Sequence, residues 1–66
     1  NTFTIFPNPV ARELHLSKVM DVAIYDMKGA RLKVYRQVNS VDVSDMTAGV
    51  YFIRNEEGET LKFIVE

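Results

Sequence analysis

Chemistry at a protein site needs a nucleophile beside a base, a carboxylate pair in a cleft, or a metal held by several ligands. The candidates in this sequence are His15, the only imidazole, and the aspartates Asp21, Asp26, Asp42 and Asp45. His15 stands between Leu14 and Leu16 in an alternating stretch. A strand that turns both leucines inward turns the imidazole out to solvent, away from any partner. Zinc would need cysteine or a second histidine, and the chain has neither. The aspartates lack the dense spacing of a calcium loop and stand at strand ends, where the ordinary work of Asp is to bond turn backbone. The three glycines are isolated, so no phosphate cradle is encoded. The sequence therefore reads as that of a non-enzyme without metal or cofactor.

The elements that would have to position such residues are constrained by size. Sixty-six residues form one domain at most, with a core at the small end of what folds unaided and marginal stability. No cysteine is present to staple it. A 47% apolar fraction with four phenylalanines and three tyrosines supports a folded core, and 26% charged residues suit a soluble surface. Eight basic and nine acidic side chains are scattered to a net charge of −1, so neither a nucleic-acid patch nor an acidic tail is present. The longest apolar run is far short of the ~20 residues that span a bilayer. The chain opens on Asn1-Thr2 with no initiator methionine or signal peptide. Residues 1–66 are thus expected to be a single domain excised from a larger protein.

Period-two alternation recurs throughout, and helical periodicity nowhere, which predicts an all-β fold. Seven short strands are expected. Thr2 to Phe6 is stopped by Pro7 and Pro9, which have no N–H to pair. Leu14 and Leu16 mark the second strand, and Val22 and Ile24 the third. The third ends in a turn at Asp26-Met27-Lys28-Gly29, where Gly29 supplies positive φ. The fourth runs from Arg31 to Val38, with Leu32, Val34 and Val38 inward and Arg31, Lys33 and Tyr35 outward. Val41 and Val43 form a fifth after a turn at Asn39-Ser40, and Ser44 is expected to cap a single helical turn through Ala48. Val50 to Asn55 is apolar on both faces, as in a central strand, and Glu56 to Glu59 turns it into Thr60–Val65.

Seven alternating strands in so short a chain imply two small sheets face to face, an immunoglobulin-like β-sandwich with Greek-key connections. Met46-x-x-Gly49-x-Tyr51 has the form of a tyrosine corner, with Gly49 at the crossover and the Tyr51 phenol bonded back to upstream backbone. Phe6, Tyr25, Tyr35 and Phe52 fall on faces opposite the main apolar rows. Cover by the second sheet or by loops is expected to account for them ahead of a contact patch.

Pro7-Asn8-Pro9, Leu14-His15-Leu16, Ile24 to Gly29, Asp42-Val43-Ser44, Gly49-Val50-Tyr51 and the closing Lys62-Phe63-Ile64-Val65-Glu66 follow one another in an order and spacing covering nearly the whole chain. In this the sequence resembles the C-terminal sorting domain of cargo proteins of the type IX (Por) secretion system. The resemblance implies a domain at the end of a larger secreted protein. It would be recognised by the outer-membrane translocon after Sec export into the periplasm, and cut at the surface by a sortase-like peptidase that can join the cargo to an anionic lipopolysaccharide. It makes Pro7, Asn8, Pro9, Gly29, Gly49 and Tyr51 motif positions, and it ties recognition to Lys62, Phe63, Ile64, Val65 and Glu66. Many members finish on a basic residue, where this chain has Glu66.

An end strand of this kind is suited to capture by β-augmentation. The partners expected are translocon and peptidase components, with no nucleic acid, no stable membrane insertion and a monomeric state. The alternatives are an adhesion or carbohydrate-binding module, which needs a row of exposed aromatics, and a structural or dimerising domain.

Overall fold

Alternating apolar residues without helical periodicity leave the backbone one way to satisfy its polar groups, by pairing with neighbouring strands. The computed structural model describes residues 3–66 and contains five strands: β1 (Ile5–Phe6), β2 (Glu13–Tyr25), β3 (Arg31–Asp42), β4 (Gly49–Asn55) and β5 (Thr60–Val65). All pairings between them are antiparallel and no helix occurs among these residues. Thr2, expected to open the first strand, lies outside the described residues.

β2 is the spine. β3 runs along it from Glu13↔Asp42 to Tyr25↔Arg31. Its other edge takes β1 beside Leu16 and His15, and β4 beside Val22 to Tyr25. β5 lies beyond β4, with Tyr51 opposite Phe63 and Phe52 opposite Lys62. The sheet then curls until Val10, in the segment after β1, meets Val65 of β5 in a parallel bridge. Leu14, Ile24, Ile53 and Phe63 are fully buried inside the curl with Val10, Val41 and Val43. Side chains of this size contribute about 1.5–3 kcal/mol each on burial.

The seven expected strands are five, because two presumed turns are bends within continuous strands. Ser17 to Val19 holds no Gly or Pro to break pairing. The chain passes from Leu16 to Met20 through a register irregularity, so the predicted second and third strands are the two halves of β2. Asn39-Ser40 likewise stays inside β3. The result is a curled open sheet, and it does not divide into the two-sheet Greek-key sandwich anticipated.

β3 also faces differently from the expected alternation over its first half. Met20 pairs with Val38 and Val22 with Tyr35, so β3 spends three residues where β2 spends two. The extra residue is accommodated at Gln37, whose φ is +53°. Such a bulge inverts the alternation across it. Val38 packs on the core as expected, but Tyr35 and Lys33 lie on the inner side, and Leu32 and Val34 face out at 47% and 55% exposure. The helical turn expected at Ser44 is also absent. Met46 N–H donates to the Val43 carbonyl at 3.0 Å in a simple turn, and the capping side chain is Asp42, which accepts from the Ser44 N–H at 2.8 Å.

Candidate recognition surface

The two hairpins that frame the C-terminal half of the sheet use one local design. Asp26 Oδ1 accepts from the N–H groups of Lys28 and Ala30, both at 2.9 Å, and Gly29 N–H donates to the Asp26 carbonyl. In the second hairpin Asn55 Oδ1 accepts from Glu57 and Glu59 N–H at 3.0 and 2.9 Å, and Gly58 N–H donates to the Asn55 carbonyl. Gly29 and Gly58 hold φ of +86° and +87°. A short side-chain acceptor followed three residues later by glycine is what such a turn requires. Asn55, the one buried polar residue among those described, also donates from Nδ2 to Glu59 Oε1 at 2.9 Å. The same Asx-x-x-Gly spacing occurs at both sites, Asp26 to Gly29 and Asn55 to Gly58.

The tyrosine corner is present in its essential bond. Tyr51 Oη donates to the Thr47 carbonyl at 2.6 Å, and its ring stacks on Phe63 with centroids 5.9 Å apart. Gly49, at the start of β4, has φ of +157°. The bond ties the loop before β4 to the strand pair it enters.

β5 presents the residues singled out at the end of the sequence. Phe63 and Val65 are buried at 0% and 2%, while Lys62, Ile64 and Glu66 are exposed. One edge of β5 pairs with β4. Its other edge is occupied by the Pro-Asn-Pro-Val segment. Ile64 N–H donates to Asn8 Oδ1 at 3.0 Å and Asn8 Nδ2 donates to the Lys62 carbonyl at 3.2 Å. Val10 N–H then donates to the Ile64 carbonyl at 2.8 Å, and Glu66 N–H to the Val10 carbonyl at 2.9 Å. Pro7 and Pro9, with no N–H of their own, flank Asn8, so its side chain makes the bonds that their backbone cannot donate. The expected capture of β5 by strand addition therefore meets an edge already filled over residues 62–66. What this stretch offers outward is side chains.

Lys62 and Ile64 do not stand alone on the outer surface. Through the registers Ile64↔Val50, Lys62↔Phe52 and Phe52↔Tyr25 they share a face with half-buried Val50, Phe52 and Tyr25, and this face continues onto Val34 and Leu32 of β3. Of the four aromatic residues expected opposite the core rows, Tyr25 and Phe52 lie here, Tyr35 packs against the core, and Phe6 stacks on His15 at 5.3 Å. His15 is outward, as its flanking leucines implied, with 42% of its side chain exposed and Glu13 Oε1 3.8 Å away. Among the described residues no group of three His, Asp or Glu side chains converges to hold a metal.

The aspartates serve the backbone or one another's neighbours. Asp21 Oδ1 accepts from Gln37 N–H at 2.9 Å and from Gln37 Nε2 at 3.1 Å, which holds its carboxyl below the usual carboxylate range and fixes the bulge. Asp42 is held low by its bonds to Ser44. Lys33 Nζ donates to Asp45 Oδ1 at 2.6 Å, lowering the Asp45 carboxyl and raising the Lys33 ammonium.

This is a small all-β domain in which polar side chains are engaged in turns and in the clasp on β5. The chain belongs to the family of secretion system C-terminal sorting domains, whose model matches residues 4–66. It is a C-terminal sorting signal for type IX secretion, and cargo carrying it is exported to the cell surface or the extracellular medium. The family is one of sorting signals, not of enzymes. No curated protein matches the chain.

Proposed function

We propose that the translocon reads this domain as a folded monomer through the outward side chains of β5, Lys62 and Ile64 with Glu66 beside them, while Phe63 and Val65 hold the strand in place. Residues 1–66 act as the single sorting domain of a larger exported protein with no catalysis of their own, and a sortase-like peptidase acts on that protein at the surface. The observation that carries this reading is the double locking of β5. With β4 on one edge and the Asn8–Val10 clasp on the other, the backbone of residues 62–66 is committed, and a receptor meets a fixed row of side chains. Rigid presentation lowers the ordering cost of binding.

A Sec-exported reporter fused ahead of residues 1–66, in a bacterium carrying the type IX system, is expected at the surface or in the medium. Lys62→Ala combined with Ile64→Ser, both at exposed positions, should leave the melting temperature within a few degrees and strand the reporter in the periplasm. Normal export of that double variant removes β5 as the recognised element. A reporter that stays periplasmic behind the unaltered domain removes the sorting function itself. Gel filtration of the isolated domain should give a monomer.

A further inference from the structure

The outer face of the sheet that carries Lys62 and Ile64 extends across β4 and β2 to β3, and its far side is a cleft. Ala23, Tyr25 and Val34 form the apolar floor of a cavity of about 260 Å³, and Arg31, Arg36 and Arg54 stand around it. Among the described residues the lysine or arginine side chain in an ion pair with a carboxylate is Lys33, with Asp45, so none of these three guanidinium groups is paired with a carboxylate. Two carboxylates also line the cleft: Asp21 Oδ1 accepts from the Gln37 N–H and from Gln37 Nε2, and Glu56 Oε1 accepts from Asp21 N–H at 3.1 Å, so the three guanidinium groups outnumber the acids there by one. Arg36 acts on the Asp21 carboxyl only through space, as a small contribution. With Lys62, this face of a chain of net charge −1 carries four cations against the two cleft carboxylates, Asp21 and Glu56, around exposed apolar residues.

We infer that this face docks an acidic, apolar segment of a partner protein, one apolar side chain entering the cleft and flanking carboxylates meeting Arg31, Arg36 and Arg54. The inference rests on the sorting reading and extends the recognised surface beyond β5. Charge complementarity selects this occupant. Guanidinium groups beside an apolar pocket suit bidentate carboxylate contacts around an anchor. A second copy docked through the same face about a two-fold axis would set cations against cations.

The test compares two doubly charge-reversed fusions in the reporter assay. Arg36→Glu with Arg54→Glu alters the cleft, and Arg12→Glu with Lys18→Glu makes the same change of net charge at exposed positions outside it. The cleft variant should lower surface delivery about tenfold or more, with unchanged melting temperature, while the control is delivered like the unaltered domain. Val34→Asp, at an exposed position, should reproduce the loss by placing a carboxylate at the apolar floor. Equal delivery of all variants overturns the inference and leaves the sorting function standing, as does equal loss in the cleft and control variants, which would reflect net charge alone. Failure of the unaltered fusion overturns both. Arginine-dependent binding of the isolated domain to phosphatidylglycerol vesicles, or an arginine-dependent dimer in sedimentation, would assign the face to a lipid surface or to self-association and overturn the partner inferred.

Discussion

Ile64 N–H donates to Asn8 Oδ1 at 3.0 Å, joining residues 56 apart, and the same amide returns a bond from Nδ2 to the Lys62 carbonyl two residues earlier. One side chain thereby imitates a strand, accepting and donating as a paired backbone residue would. It does so between two prolines that could not.

Asn8→Ala removes both bonds at an exposed site, and each such bond contributes about 0.5–1.5 kcal/mol net. A loss of about 1–2 kcal/mol in denaturant unfolding is expected, with the Ile64 amide exchanging faster than the core amides of β4. Asn8→Asp keeps an acceptor for Ile64 and loses the donor to Lys62, so it should fall between the two. An Ile64 amide equally protected in Asn8→Ala and the unaltered chain would show that the clasp contributes nothing.

Tyr51→Phe deletes the donor to the Thr47 carbonyl and keeps the stack on Phe63. The cost should be about 1 kcal/mol, seen as a drop of several degrees in melting temperature. No drop would mean that the corner bond is replaced by water without penalty.

The paired hairpins make a graded prediction. Asp26→Asn preserves the Oδ1 acceptor and should be nearly neutral. Asn55→Ala empties a buried site with three side-chain bonds and should cost about 2–3 kcal/mol. Asn55→Asp keeps the turn acceptor but faces Glu59 with a second carboxylate, so its deficit should shrink on mild acidification. If Asp26→Ala proves as damaging as Asn55→Ala, burial is not what separates the two turns.

The charged groups set a pH profile. Asp21, Asp42 and Asp45 are held below the ordinary carboxylate range. They stabilise the fold above the unfolded aspartate pKa of about 3.9, and that stabilisation is lost as pH falls through their folded values. Lys33 is raised by Asp45, so its contribution is complete below the unfolded lysine pKa of about 10.4 and lost as pH rises through the folded one. Melting temperature should be flat between these limits and decline outside them. Asp21→Asn should flatten the acid limb, and an unchanged limb would refute the assignment.

How much of this was legible depended on whether the signal was local. The stop at Pro7 and Pro9, the turn at Asp26–Gly29, the inward Phe63 and Val65, and the Tyr51 bond all follow from residues within a few positions of each other. The Gln37 bulge was not legible, because nothing in Arg36-Gln37-Val38 marks positive φ. Its partner Asp21 lies 16 residues away. Missing that one residue reversed Leu32, Val34 and Tyr35 and hid the apolar floor of the cleft. The division of β2 failed for a related reason, since Ser17 to Val19 has a loop's polarity but the paired residues before and after it, up to His15 and from Met20 on, keep it within one strand. Nor could the sequence show that Asn8 meets Lys62 and Ile64, a relation that exists only once the sheet has curled.

The clasp also closes the longest stretch of chain among the side-chain bonds described. The hairpins β2–β3 and β4–β5 close over short loops, whereas the Asn8 and Val10 bonds to β5 must wait for segments more than 50 residues apart to meet, the contact with the largest loop-closure entropy. A chain stopping short of Lys62 leaves Asn8 and the Val10 carbonyl without the groups they bond, and strips Phe63 and Val65 from the core. The outward row on β5 and the closure of the fold are thus completed by the same few residues. Presentation of the signal certifies that the domain has been finished.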